Sequence, residues 1–357
     1  MANVLYIGNG SRSSTSSHRF AAIQRLGHSV TMVDLFHAFR DTLDSRWLGR
    51  IHYRTGYRLL QSQIASWLSN TLESSPGKPD VVWVDSGELL GPKSLKILKK
   101  LNCPLLLYNV DDPTGKRDGR RFDSLINAIP FYDLVAVVRK ETEQECKALN
   151  AKRVLRVYRS YDEVQHNPFP SVAEIPENFR SEVAFIGTWM RYEKRDEFLL
   201  ELISQGVPVT IWGPRWQNSP FFSQLESHWR GPSPSVRDTT LSGRDYVAAI
   251  QGAKICIGLL SKGNRDLHTQ RSLEVPFCGG LLCAERTTEH QEMYKEGQEA
   301  VFWSDAAECA RVCKQLLADE ILRENIRTSG MRRVRSLKTG NEDVANEIIM
   351  TALGKKS

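Results

Sequence analysis

Two acidic residues eight positions apart, Asp266 and Glu274, precede the run Val275-Pro276-Phe277-Cys278-Gly279-Gly280-Leu281-Leu282. The pattern predicts a helix over 266–277 that carries carboxylates, is stopped by glycine and leads into a buried strand. A carboxylate accepts two hydrogen bonds from vicinal hydroxyls, and the amide end of a helix favours a diphosphate. Arg271 stands three before Glu274, and His268 three before Arg271, so the three share neighbouring helix faces. The guanidinium fork of Arg271 suits a diphosphate, and a plain Arg–Glu surface pair is the alternative. His268 is a further donor candidate or a structural histidine. Asp266 reads equally well as an N-cap ahead of an apolar helix.

Other groups stand where strands should end. Gly187-Thr188-Trp189 follows an apolar run, and glycine there lets backbone amides approach a phosphate. Arg191, Lys194 and Arg195 come next, with Arg195 the preferred second phosphate contact. Gly213 closes the run Ile211-Trp212. Near the start, Gly8-Asn9-Gly10 opens a Ser/Thr-rich loop with His18 just beyond. The loop fits neither a P-loop nor G-x-G-x-x-G. Asp111-Asp112-Pro113 ends another apolar run and Asp85 a third. A carboxylate at such a place could take a proton from a hydroxyl or bind sugar hydroxyls, and an Asx-turn is the alternative for one of the Asp pair. The adjacent Asp111-Asp112 is no spaced metal motif, so no metal is expected.

The elements that must hold these groups alternate. Strands are predicted at 4–7, 30–33, 81–84, 104–110, 134–138 and 154–157, with helices at 20–26, 89–101 and 140–149. The rhythm restarts with strands at 183–186, 209–212, 255–260, 281–284 and 300–303. Helices follow at 193–205, 246–250, 266–277, 289–295, 306–317, 321–336 and 341–353. This predicts an α/β chain of two doubly wound, Rossmann-like domains facing across a cleft, with ligands at the C-terminal strand edges. The expected boundaries are an N-terminal domain at 1–165, a linker at 166–181, a C-terminal domain at 182–338, and a helix at 339–357 packing back toward the first domain. The linker is inferred from a polar stretch with Pro168, Pro170 and Pro176. The stretch 45–72 reads as a helix with Trp47, Leu48 and Ile51 beside Arg46, Arg50, Arg54 and Arg58. It is either packed on the first sheet or laid on a membrane surface.

With 357 residues, two domains are the natural expectation. Hydrophobic content of 41% and charged content of 25% fit a soluble globular chain. No apolar run is long enough to span a bilayer, and no signal peptide is read at the N-terminus. A cytoplasmic location is expected, with peripheral contact at the inner face of the membrane as an extension of it. The net charge of +6 is mild and spread, so nucleic acid is not an expected partner. The seven cysteines are scattered with no CxxC, which reads as reduced structural thiols and argues against zinc.

Taken in order, the D-x7-E signature with its Gly-Gly turn resembles the C-terminal signature of GT-B glycosyltransferases of the group-1 pattern. Asp266 stands where that family usually has a glutamate. Residues 270–280 (QRSLEVPFCGG), together with Phe185-Ile186-Gly187-Thr188-Trp189, Ile211-Trp212-Gly213 and Asn109-Val110-Asp111-Asp112-Pro113, look closer to the CgeB-like, spore-maturation-protein-like branch. The resemblance covers most of the chain, best over 183–303. It implies transfer of a sugar from a nucleotide-diphosphate sugar, a UDP-sugar above all, to a hydroxyl of a glycan, a lipid-linked saccharide or a small molecule. Polysaccharide biosynthesis is the implied setting. Glu274 would hold the ribose, with Gly187, Thr188, Arg195, Gly213, His268 and Arg271 around the donor. Asp266, Asp111, Asp112 and His18 would serve the chemistry, and Gly8, Asn9, Gly10 and Asp85 the acceptor side. No cofactor beyond the donor is implied, and arginines and helix amides could offset the leaving charge. The signature leans toward retention. A GT-B-shaped epimerase or phosphorylase, a non-catalytic nucleotide-binding protein and a nucleic-acid-modifying glycosyltransferase are the competing readings.

Overall fold

The computed structural model describes residues 1–12, 14–74, 77–227 and 236–355. Ser13, in the expected loop 8–17, lies outside the described residues. The chain divides into two compact units. The first comprises Met1–Tyr158, Gly263–Arg265 and the stretch from Asn341; the second comprises Arg159–Lys262 and Asp266–Gly340.

The first unit holds a six-stranded parallel sheet of β1 (Asn3–Ile7), β2 (Ser29–Val33), β3 (Val81–Asp85), β4 (Leu105–Asn109), β5 (Leu134–Val137) and β6 (Val154–Arg156). Its order is β2-β1-β3-β4-β5-β6. The central strands VVWVD and LLLYN are apolar nearly throughout because helices cover both faces of a parallel sheet. Ile7, Val84, Leu107 and Val137 pack on one face with Leu60, Ile64 and Leu68. Tyr6, Trp83 and Tyr108 pack on the other with Ile23, Val344, Ile348 and Ile349. The helix Asn341–Ala352 is therefore part of this core, pinned further by Arg25–Glu342 at 2.5 Å.

The stretch 45–72 is broken, where one helical period was expected. It forms Leu48–Arg54, a 3-10 turn at Arg58–Leu60, and Gln61–Glu73. Gly56 and Tyr57 take left-handed φ of 61° and 58° between them. A Cβ at residue 56 would lie 2.3 Å from the Arg120 carbonyl oxygen, so the bend needs glycine.

The second unit holds β7 (Ser181–Ile186), β8 (Val209–Trp212), β9 (Val236–Arg237), β10 (Ala253–Gly258), β11 (Leu282–Glu285) and β12 (Val301–Trp303), in the order β12-β11-β10-β7-β8-β9. The two-residue β9 has no pattern of its own in the sequence. The segment expected as a linker is packed on this unit. Ile175 is 1% exposed, the Phe169 backbone exchanges two hydrogen bonds with the Gln251 amide, and Arg180 donates to three carbonyls at 172, 173 and 175. Its prolines shape a surface strap whose few apolar side chains are enough to fix it. Among the described residues, no helix is long and apolar enough to cross a membrane.

Candidate functional site

In the second unit, numbering strands from β7, the sheet runs 3-2-1-4-5-6. The strand order reverses between β7 and β10, and ligands of such sheets bind beyond the C-terminal ends at that point. Arg195 begins the helix Arg195–Ser204 and spans this place: one Nη donates to the Thr188 carbonyl at 3.0 Å and the other reaches the Leu260 carbonyl at 3.4 Å. A cavity of about 310 Å³ opens alongside, lined by Lys194, Arg195, Leu260, Lys262, Glu285 and Ser304. Gly187 and Gly213 are in close contact. Gly213 has φ 138°, and a Cβ on it would stand 2.3 Å from the Gly187 carbonyl oxygen. That oxygen also accepts from Trp216 Nε1 at 2.8 Å. The two glycines shape the strand-end loops, and Arg195 brings the charge.

Glu274 lies on the helix Arg271–Phe277. Its carboxylate accepts from the Tyr246 hydroxyl at 2.5 Å and stands 3.5 Å from His166 Nε2. Burial and the nearby carboxylate raise the Tyr246 pKa well above the usual tyrosine value, partly offset by Arg271. The hydroxyl therefore stays protonated and donates. Neither Tyr246 nor His166 was singled out from the sequence. Arg271, one turn before Glu274, makes no hydrogen bond or ion pair among the described residues, and its Nε is buried without an acceptor. A carboxylate held by a donor and a guanidinium with no protein acceptor thus sit together on one helix.

The helix is shorter than the 266–277 expected. Residues 266–270 are non-helical, and the side chains of Asp266 and His268 are tied elsewhere. Asp266 pairs with Arg159 at 3.2 Å, and no side chain caps the helix, so it is no N-cap. His268 is 2% exposed, with Nε2 accepting from the Arg159 amide at 3.0 Å and Nδ1 at 2.5 Å from Glu289. Burial lowers its pKa, leaving a neutral ring with its proton on Nδ1 toward Glu289. With both nitrogens committed, His268 braces the loop and has no proton to give a diphosphate. Ser272 Oγ and His290 Nε2 meet at 2.7 Å beneath the helix, and His290 Nδ1 meets the Glu285 carbonyl at 2.6 Å.

The first unit also reverses order, between β1 and β3. Asp85 ends β3 there, buried, accepting from Arg19 Nε at 2.7 Å and Nη2 at 2.8 Å and from the Tyr6 hydroxyl. A carboxylate neutralised in this way is structural, contrary to the expected acceptor role. Asp112 has the same fate. Its side chain is fully enclosed and bound twice by Arg265, at 2.6 and 2.8 Å, with Thr142 Oγ1 at 3.3 Å. Gly115 closes over it so tightly that a Cβ would stand 2.1 Å from Oδ2. Asp112 is thus enclosed and its charge is neutralised by Arg265, which opposes a role as a base. Asp111 next to it is half-buried, and its carboxylate makes no hydrogen bond or ion pair among the described residues.

The loop residues Gly8, Asn9 and Gly10 hold their own backbone. The Asn9 amide donates to Ser16 Oγ at 3.0 Å and the Gly10 amide to Asp34 at 2.8 Å. His18 is half-buried in the first turns of Thr15–Arg25. Glu88, which the sequence did not suggest, is buried in the same unit, with its pKa raised by burial against the pull of Arg121 at 2.5 Å.

Among the described residues, one group could hold a metal ion: Cys283, Cys309 and Cys313 are buried with their sulfurs within 4.8 Å of one another. Spacing alone hid it, since two come from successive turns of Ala306–Ala318 and the third from β11.

Residues 193–348 match the family model described as glycosyl transferase-like, a stretch that carries Arg195, Asp266, Arg271 and Glu274. No curated protein matches the sequence. Among solved structures, the chain is similar to Anabaena HepE in complex with UDP-glucose, at 13% identity and a TM-score of 0.70, covering 98% of this chain and 99% of that one. Sucrose-phosphate synthase from Thermosynechococcus elongatus gives 12% identity and a TM-score of 0.70, with 98% of each chain covered. The fold is GT-B. A third GT-B likeness is the UDP-N-acetylglucosamine 2-epimerase described from Listeria monocytogenes, at 12% identity and a TM-score of 0.61, covering 99% of this chain and 97% of that one. In sequence the second unit of this GT-B chain is glycosyltransferase-like over most of its length.

Proposed function

We propose that the chain is a glycosyltransferase that moves a hexosyl group from a UDP-sugar to a hydroxyl acceptor. The observation that carries this reading is Arg271, a guanidinium with no protein acceptor, one turn from a carboxylate fixed by Tyr246. A nucleoside diphosphate offers the complement: phosphoryl oxygens for the fork and a ribose diol for Glu274. Arg195 at the strand-order reversal is the second cation for the leaving diphosphate, so arginines do the work that a metal ion does elsewhere. HepE solved with UDP-glucose supports the uridine choice. Retention, with the departing phosphate assisting the incoming hydroxyl, is the stereochemistry we favour. Asp111, the uncommitted acid at the end of β4, is the candidate for the acceptor hydroxyl. The motifs at 185–189, 211–213 and 270–280 support a CgeB-like placement within the fold.

Thermal-shift titration with UDP, GDP, TDP and ADP tests the donor site. At a hundred times its dissociation constant the right nucleotide stabilises by about 2.7 kcal/mol. UDP should give that shift, and Arg271→Ala and Glu274→Ala should lose it. A panel without any shift, or variants that respond like the parent chain, would refute the site. The epimerase reading rests on the Listeria likeness. It requires an epimerised sugar when the protein meets a UDP-sugar alone; hydrolysis without epimerisation excludes it.

A further inference from the structure

The first unit carries a surface that none of the residues above uses. Trp47 is 72% exposed, Leu59 62%, Leu48 49% and Ile51 46%. Arg46, Arg50 and Arg54 stand exposed among them, four apart, with no hydrogen bond or ion pair among the described residues. On the helix Leu48–Arg54, Leu48 and Ile51 share one stripe, and Arg50 and Arg54 the next. Asp41 and Asp44 precede the helix, Asp44 paired with Arg40, while Asp118 and Glu88 lie near Tyr53 beside Arg121, and Arg58 is spent on Asp123. Beside the helix lies a surface cavity of about 620 Å³, floored by Phe36, Leu43 and Tyr57 and rimmed by Arg46, Arg50 and Arg54.

A soluble chain seldom leaves an indole and three aliphatic side chains together in water. We propose that this surface docks on an anionic lipid bilayer. Trp47, Leu48, Ile51 and Leu59 enter the headgroup–acyl boundary, and the three arginines bind headgroup phosphates. The charge pattern decides the partner. Three unspent guanidiniums call for anions, and large aliphatic side chains between them call for hydrocarbon. A phosphodiester backbone provides only the first.

The test is sedimentation of the full chain with vesicles of phosphatidylcholine alone and of phosphatidylcholine with phosphatidylglycerol, at low and high salt. Binding to the anionic vesicles alone is expected, weakened by salt. Arg46→Glu/Arg50→Glu/Arg54→Glu should weaken partitioning at least about a hundredfold, and Trp47→Ser/Leu48→Ser/Ile51→Ser should abolish it. A variant of equal net charge, Arg311→Glu/Lys314→Glu/Arg332→Glu, altered on the second unit, should retain most of the binding. Equal loss in the two charge variants would reduce the effect to net charge and overturn the proposal, as would no binding by the parent chain. Self-association of the parent that the apolar variant abolishes, without vesicle binding, would assign the surface to a second copy instead. Trp47 gives a readout free of any folding defect: on anionic vesicles, tryptophan emission of the parent should shift to the blue, and that of Trp47→Phe should shift less. Identical shifts would also overturn it.

Discussion

Asp112→Ala separates two opposite roles for a residue whose position at a strand end invites catalysis. Its carboxylate has no exposed surface, and Arg265 binds both oxygens. Removing one member of a buried pair strands the other charge and costs about 3–5 kcal/mol. Arg265 is cushioned, because its side chain is 33% exposed and Glu145 holds it at 2.8 Å. A loss of about 2–3 kcal/mol is therefore expected. For a unit of this size, each kcal/mol moves the midpoint by roughly 2–4 °C, so the transition should fall by about 5–10 °C. Arg265→Ala should cost more, because it leaves the fully enclosed Asp112 charge with Thr142 alone. The double variant should cost less than the sum of the two singles by about 1–2 kcal/mol. Calorimetry of the three variants reads this cycle directly. A catalytic base would behave otherwise, with an unchanged midpoint, unchanged UDP affinity and slow turnover. That outcome would refute the structural assignment and return Asp112 to the chemistry.

Tyr246→Phe removes the donor that fixes Glu274, so titration calorimetry should show UDP affinity about tenfold weaker, the worth of one charge-assisted hydrogen bond, with circular dichroism unchanged; unchanged affinity would mean Tyr246 does not position the carboxylate. Stability should also depend on acid pH through His290, whose pKa burial lowers from 6.5 to about 4. Because the unfolded chain binds the proton first, the contribution is complete above about pH 6.5 and is lost as pH falls toward 4, at most about 3 kcal/mol over that gap. Urea unfolding at neutral pH and at about pH 5 should show the decline, smaller in His290→Gln; equal pH dependence in the two proteins would sink the assignment.

The alternation of strands and helices was legible because parallel strands buried on both faces leave continuous apolar runs such as VVWVD and LLLYN. That Glu274 and Arg271 share a helix was legible because their spacing is local. What the sequence hid is what arrives from a distance. Tyr246 reaches Glu274 across 28 positions, and Arg265 reaches Asp112 across 153. Periodicity marks a strand-end acid as available and is blind to the guanidinium that occupies it. The same blindness lengthened the 266–277 helix, since the tethers of Asp266 and His268 to Arg159 break a pattern that is otherwise apolar and periodic. Gly56, inside the stretch read as one helix, was the visible sign of the break there.

Partnership also separates the charged groups at the two places where strand order reverses. In the first unit, Asp85, Arg19 and Tyr6 satisfy one another, so the β1/β3 end is held by a closed network that gains nothing from a ligand. In the second unit, Arg195 reaches the carbonyls of Thr188 and Leu260, and Arg271, on the helix that carries Glu274, has a buried Nε with no acceptor among the described residues. A buried donor without an acceptor costs about 1–3 kcal/mol, and an anion that supplies the acceptor recovers that cost on binding. On the proposed reading, a diphosphate bound at the second unit would supply the acceptor that Arg271 lacks. Asp111 and the arginines at 46, 50 and 54, which make no side-chain hydrogen bond or ion pair among the described residues of the first unit, are by the same reasoning the groups proposed to meet an acceptor and the surface that presents it.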